Sequence, residues 1–163
     1  MASVPATQCG LGRFVELGEL PRQRDGLGTD NLAVTLASSV GAATDTTLRN
    51  CTTWGAMVTA GVVECTFTGY APKILNPADR TITYVTASSP FKATLTLNNP
   101  VVWNPAGGAV NNPTIVKGFL LYRPTTGTAQ SLWRPLGFCD AAGGVAAGGS
   151  YTLTFSPLTA SAT

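Results

Sequence analysis

Histidine is absent from these 163 residues, and the omission removes a large share of biological chemistry. Imidazole is the commonest general base and the commonest metal ligand, so triads that depend on it are excluded. Charge is scarce as well. Asp, Glu, Lys and Arg make up 11% of the chain, where about a quarter is usual. The ten cations are scattered and the net charge is only +2, so no stripe exists to track a phosphate backbone and no nucleic-acid partner is expected. No apolar run reaches the length of a membrane span. The opening Met1-Ala2-Ser3-Val4-Pro5-Ala6-Thr7 has neither a basic nor an apolar region of a signal peptide, so synthesis in a cytosol is expected.

The four cysteines, Cys9, Cys51, Cys65 and Cys139, form no CxxC pair. A zinc site would have to draw all four sulfurs from separate segments. Without secretion a disulfide framework is not expected either, and the thiols read as small buried apolar groups. Asp30, Asp45, Asp79 and Asp140 do not cluster into a calcium loop. Lys73, Lys92 and Lys117 stand in no SxxK context. Glu16 and Glu19 are three apart, yet a glycosidase pair belongs in a cleft rather than near a chain terminus. Glu64 falls mid-strand and reads as part of a solvated face. The glycine-rich stretch 143–149 is followed by no GKS/T and opens no helix, so it reads as a loop and not a phosphate cradle. The chain is therefore expected not to be an enzyme and to carry no cofactor or metal.

What the chain does have is period-two alternation of threonine with apolar residues. Thr81-Ile82-Thr83-Tyr84-Val85-Thr86, Ala93-Thr94-Leu95-Thr96-Leu97 and Tyr151-Thr152-Leu153-Thr154-Phe155 all show it. That period turns one face of a strand to a core and the other outward. Threonine suits the outer face, because its β-branch favours strand geometry and its hydroxyl stays solvated. Further strands are expected at Leu32–Ala37, Val62–Phe67 and Val101–Trp103, with Ser131–Arg134 pairing back across a turn at Arg123–Gly127. Pro72 confines Gly69–Leu75 to an edge. The longest apolar run, Thr114–Tyr122, is the expected central strand. Ser38–Asn50 reads as loop and Cys51–Ala60 as an irregular edge, and nothing after residue 30 reads as helical.

Short strands at intervals of about ten residues, joined by Gly, Pro and Asn turns, are the signature of an antiparallel sandwich. The expected fold is all-β, an antiparallel β-sandwich of jelly-roll or Ig-like type over residues 31–163, with an extended N-terminal arm over 1–30. The arm holds seven of the eighteen charged residues. Phe14, Leu17 and Leu20 are three apart and stop at Pro21, which fits a short helical turn within an extended arm. Trp54, Trp103 and Trp133 with Tyr70, Tyr122 and Tyr151 could be core, subunit anchors or a sugar-stacking platform. A surface so poor in charge also suggests cover by other subunits.

Two stretches carry a resemblance. Glu64-Cys65-Thr66-Phe67-Thr68-Gly69-Tyr70-Ala71-Pro72-Lys73 resembles a segment of small structural proteins in the virions of tailed bacteriophages. Ile115–Leu121, then Ser131-Leu132-Trp133-Arg134, then Gly148–Phe155 follow that family's later order. The likeness spans about residues 30–156. The N-terminal part departs from the family, with Gly10-Leu11-Gly12-Arg13-Phe14 where a helix entry is usual. Members of that family are head or tail components without known catalysis. The resemblance implies a virion location after assembly in the host cytoplasm. The resemblance does not choose between head and tail; the reading adopted is a capsid decoration or cement protein that binds the major capsid protein and itself, as a homotrimer. The alternative is a tail or fibre module contacting host glycan. On the cement reading, Arg13, Phe14, Leu17, Leu20, Arg22 and Arg24 form the arm's interface, apolar groups buried and guanidinium groups meeting acidic rim residues.

Overall fold

The computed structural model describes residues 6–8, 31–85, 92–106, 114–123, 127–144 and 149–161. Its strands in chain order are β1 (Ala6–Gln8), β2 (Asn31–Ser39), β3 (Val63–Glu64), β4 (Lys73–Leu75), β5 (Arg80–Val85) and β6 (Lys92–Leu97). There follow β7 (Val101–Ala106), β8 (Thr114–Arg123), β9 (Arg134–Gly144), β10 (Gly149–Leu153) and β11 (Leu158–Ser161). Two helices, α1 (Asp45–Asn50) and α2 (Trp54–Thr59), and two 3-10 turns at Pro77–Asp79 and Gln130–Leu132 complete the described elements. The fold is all-β with antiparallel sheets.

The largest sheet runs β1-β9-β8-β2-β3, with β4 pairing on β2 beside β3. Its three inner strands are buried on both faces. On β2, Leu32, Val34 and Leu36 enter one core while Ala33 and Ala37 enter another. On β8, Leu120 and Tyr122 face the first core, and Phe119 and Leu121 the second. That explains why β2 and β8 read as continuous apolar runs rather than alternating ones. Bulges between Ile115 and Lys117, and between Leu120 and Leu121, reset the pairing of β8 with β9.

The first core is capped by two small sheets, β10-β7 and β11-β6-β5, which contribute Leu95, Val101, Trp103, Leu153 and Leu158. Here the alternation holds. Ile82, Leu95 and Leu158 share one row turned to the core. The neighbouring row, Thr83, Thr94 and Thr159, faces outward, and the Thr94 and Thr159 hydroxyls lie 3.1 Å apart in a hydrogen bond.

The second core is capped by the two helices, which the sequence reading missed. Both are only six residues long and too short to show a helical period. Their caps are plain in retrospect. Thr44 accepts from the Thr47 N–H, with Asp45 in the first turn and Arg49 in the last, as the helix dipole favours. Thr53 accepts from the Ala56 N–H and opens α2, whose Trp54 and Met57 are three apart and buried. So Ser38–Asn50 is not all loop, and the stretch Cys51–Ala60 holds the helix Trp54–Thr59 rather than an irregular edge. Gly41, at φ +56, packs against the Gly61 carbonyl and closes the chain around this helical pair.

Other expectations also change. Val62–Phe67 was expected as a full strand, but only Val63 and Glu64 pair, although the Cys65 N–H still reaches the Leu36 carbonyl at 2.9 Å. Ser131 and Leu132 lie in a 3-10 turn, and the strand that answers β8 begins at Arg134. A strand not expected from the sequence, β11, follows residues 151–155 and pairs with β6. Within the stretch read as an arm, Ala6–Gln8 pairs with β9. No described helix is long and apolar enough to cross a membrane.

Candidate functional site

The expected arm interface, Arg13, Phe14, Leu17, Leu20, Arg22 and Arg24, lies outside the described residues. The described residues bring ionisable groups together at two other places.

The first centres on Glu64 of β3. Its Oε1 accepts from the Tyr70 hydroxyl at 2.8 Å and its Oε2 from Gln130 Nε2 at 2.8 Å. The Trp54 side chain adds a further hydrogen bond. Burial lifts the Glu64 carboxyl above its ordinary range, against these three donors, which favour the ionised form. Tyr70 in turn accepts from the Leu36 N–H at 3.0 Å, a group on β2. Burial, and then the Glu64 charge, drive its phenol well above the usual value. Glu64 is therefore not the solvated strand residue expected. It ties β3, α2, the 130–132 turn and the loop after β3 into one unit.

The same loop is fixed from its other side. Phe67 and Tyr70 meet edge to face at 5.1 Å, Tyr70 stacks on Trp103 at 6.4 Å, and Trp103 lies 6.2 Å from Tyr151. Trp103 Nε1 donates to the Ala71 carbonyl at 2.9 Å. Glu64, Phe67 and Tyr70 thus hold the segment 64–73 in place. All three tryptophans are buried, Trp54 by 97%, Trp103 completely and Trp133 by 93%. Of the alternatives left open for the aromatics, core is the one the three tryptophans and Tyr122 occupy, while Tyr70 and Tyr151 are partly buried against it.

The second cluster is on the helical face. Lys117 of β8 is 8% exposed, with its ammonium bound to Asp140 of β9 and 3.1 Å from Asp45 at the start of α1. It also lies 5.0 Å over the Phe138 ring. Burial acts to lower the ammonium pKa, but the two aspartates outweigh it and leave the value raised. This lysine is a charged rivet between α1 and the sheet. Pairing of Lys117 with Asp140 follows from strand register, which single-residue patterns did not reveal.

Neither cluster is poised for reaction. Each carboxylate oxygen of Glu64 already has a donor, and the Lys117 ammonium is fully charged and shared by two acids. Cys51, Cys65 and Cys139 are free thiols and buried, as expected; Cys9 lies outside the described residues. Burial pushes Cys65 up to about 12 and Cys139 up to about 11, which keeps both protonated and inert. Among the described residues no three Cys, Asp or Glu side chains converge as a metal site would need.

The described surface mixes a few exposed charges, Arg49, Arg134 and Asp140 among them, with neutral side chains. Thr81, Thr83 and Thr159 stand exposed on the outer sheet, and three of the elements meeting at Glu64, namely α2, β3 and the 130–132 turn, each leave one apolar side chain exposed: Val58, Val63 and Leu132. No family model, curated protein or solved structure matches this chain.

Proposed function

We propose that this chain is a non-enzymatic virion protein of a tailed phage, a decoration or cement protein that binds and stabilises a coat lattice. The observation that carries the reading is where charge is spent. Half-buried Glu64 and buried Lys117, each with several partners, hold the fold together, while the outward sheet presents threonine. Such a surface has little to repel a neighbour and little with which to act on a substrate. The phage-like segment 64–73 adds support, because its Glu64 and Tyr70 brace the largest sheet against the rest of the body.

The finer fold belongs to the same proposal. Two β layers around the first core fit a sandwich of jelly-roll or Ig-like type, with the helical pair as an added cover on the outer side of the large sheet. Self-association as a homotrimer and attachment through Arg13, Phe14, Leu17, Leu20, Arg22 and Arg24 complete the reading. Glycan binding by a tryptophan platform has little support, since those rings are buried.

Co-sedimentation with expanded empty coat shells tests the function. The triple substitution Phe14→Asp, Leu17→Asp, Leu20→Asp is expected to abolish attachment while circular dichroism and unfolding of the body stay unchanged. Attachment equal to that of the unsubstituted chain, or adsorption of the free protein to host cells instead of shells, overturns it.

A further inference from the structure

The sheet β11-β6-β5 ends on β5, and among the described residues no strand pairs with its outer side. A sheet edge exposes a row of backbone N–H and C=O groups, and proteins that must stay apart blunt it with charge, proline, a bulge or shortness. Strand β5 has none of these over Thr81–Val85, a run of threonine, isoleucine, tyrosine and valine. Its register with β6 runs unbroken from Arg80 opposite Leu97 to Val85 opposite Lys92. By contrast, the pairings of β2 with β3, β7 with β10, and β8 with β9 all contain shifts. The opposite edge of the small sheet, β11, is shorter and has β1 beside it.

We propose that the outer edge of β5 pairs antiparallel with β5 of a second copy of this chain, about a two-fold axis through Thr83. Three observations choose a second copy over an unrelated strand. First, a two-fold antiparallel pairing centred on Thr83 sets odd-numbered positions against odd ones, Thr81 opposite Val85 and Thr83 opposite Thr83. The two small sheets then join in phase, with threonine rows continuous across the junction. Second, nothing repels, because Thr81–Val85 carry no charge. Third, Ile82 and Leu97 are only partly buried where the first core meets this edge, and a joined sheet extends the cover over them. The resulting six-stranded sheet presents a threonine-rich face, with Lys92 of each copy at the register position beside Val85. The contact is two-fold, separate from the three-fold assembly proposed above, and it stands or falls independently of the virion reading.

Sedimentation velocity of the full chain, at concentrations up to about 1 mM to include weak association, is the test. The unsubstituted chain is expected to show a concentration-dependent doubling of mass. Thr83→Lys and Thr83→Glu each place like charges directly across the axis, and each is expected to weaken the doubling at least about fivefold at low salt. Mixing the two variants restores it, because Lys then faces Glu. Thr81→Lys keeps most of the doubling, since the two copies of position 81 lie about 13 Å apart along the strands, where repulsion through water weakens association less than about twofold even without screening. No doubling in the unsubstituted chain, as for an edge that awaits another protein's peptide, overturns the proposal. So does doubling that resists both Thr83 charges, an equal loss with Thr81→Lys, or a mixture of Thr83→Lys and Thr83→Glu that stays apart.

Discussion

Gly118 on β8 lies directly beneath Leu153 on β10: a methyl group at position 118 would overlap Leu153 Cδ2 and touch Cys139 Sγ at 3.5 Å. The absence of a side chain there is what lets the small β10-β7 sheet sit down on the large one. Overpacking of a closed core costs about 1–3 kcal/mol. Gly118→Ala is expected to lower stability by that amount in urea unfolding. Gly144→Ala, where an added methyl meets nothing within 4 Å, is the matched control and is expected to change stability little.

Tyr70 serves two partners at once, accepting from Leu36 and donating to Glu64. Tyr70→Phe keeps the ring on Trp103 but orphans a strand N–H and one carboxylate oxygen. The expected loss is about 1–3 kcal/mol, the cost of leaving a buried polar group unmade. Chemical denaturation followed by tryptophan fluorescence measures it.

The raised carboxyl of Glu64 sets a pH dependence. The native state holds that proton more tightly than the unfolded chain does. This group's contribution to stability is therefore complete below the ordinary glutamate range and is lost as pH rises through the lifted value. Glu64→Gln removes the dependence. The stability of the unsubstituted chain relative to Glu64→Gln is thus expected to increase as pH falls through the carboxylate range; a difference that stays flat or runs the other way contradicts it.

Lys117 predicts an asymmetry. Asp45→Asn with Asp140→Asn leaves a nearly buried ammonium without a counter-charge; because the two carboxylates are themselves 50% and 77% exposed, the expected cost is about 1–3 kcal/mol. Lys117→Met removes the charge and keeps the stem over Phe138, so it is expected to cost much less. The raised pKa of Lys117 means that its contribution persists below the ordinary lysine value and disappears as pH climbs above it. Thermal unfolding of the three proteins at neutral and alkaline pH separates these cases.

Cys65 and Cys139, pushed up to about 12 and about 11 by burial, are expected to resist a thiol reagent at pH 8 until the chain opens. Labelling at these two positions should follow the rate of unfolding. Fast labelling of either in the native protein contradicts the burial described here.

The strands that formed as read are those in which a single face decides the pattern. In β5 and β6, Thr81, Thr83, Thr94 and Thr96 alternate with Ile82, Leu95 and Leu97, which pack on the first core, so the period alone suffices. The run in β8 was also legible, since ten residues so rich in apolar side chains suit a strand covered on both sides. What escaped was structure made by partners distant in sequence. Strand β9 is broken by Pro135, Gly137 and Asp140, and becomes a strand because β8 and β1 supply its ladders. Helices α1 and α2 have one and two buried side chains respectively, and rest on threonine caps and on contacts such as Trp54 N–H to the Trp133 carbonyl at 2.7 Å. Glu64 looked solvated because Gln130, one of its donors, is far off in sequence.

Ala6 sits opposite Cys139, and Asn31 opposite Arg123. A ribosome making this chain releases the first half of each pair long before the second exists. The large sheet cannot close until most of the polypeptide has left the exit tunnel, and loop closures of such span slow folding. Throughout that wait β2 is a bare apolar ribbon. The growing chain is most vulnerable to misassociation during synthesis, and its yield in a cell should depend on translation speed and chaperone supply more than on the stability of the finished molecule.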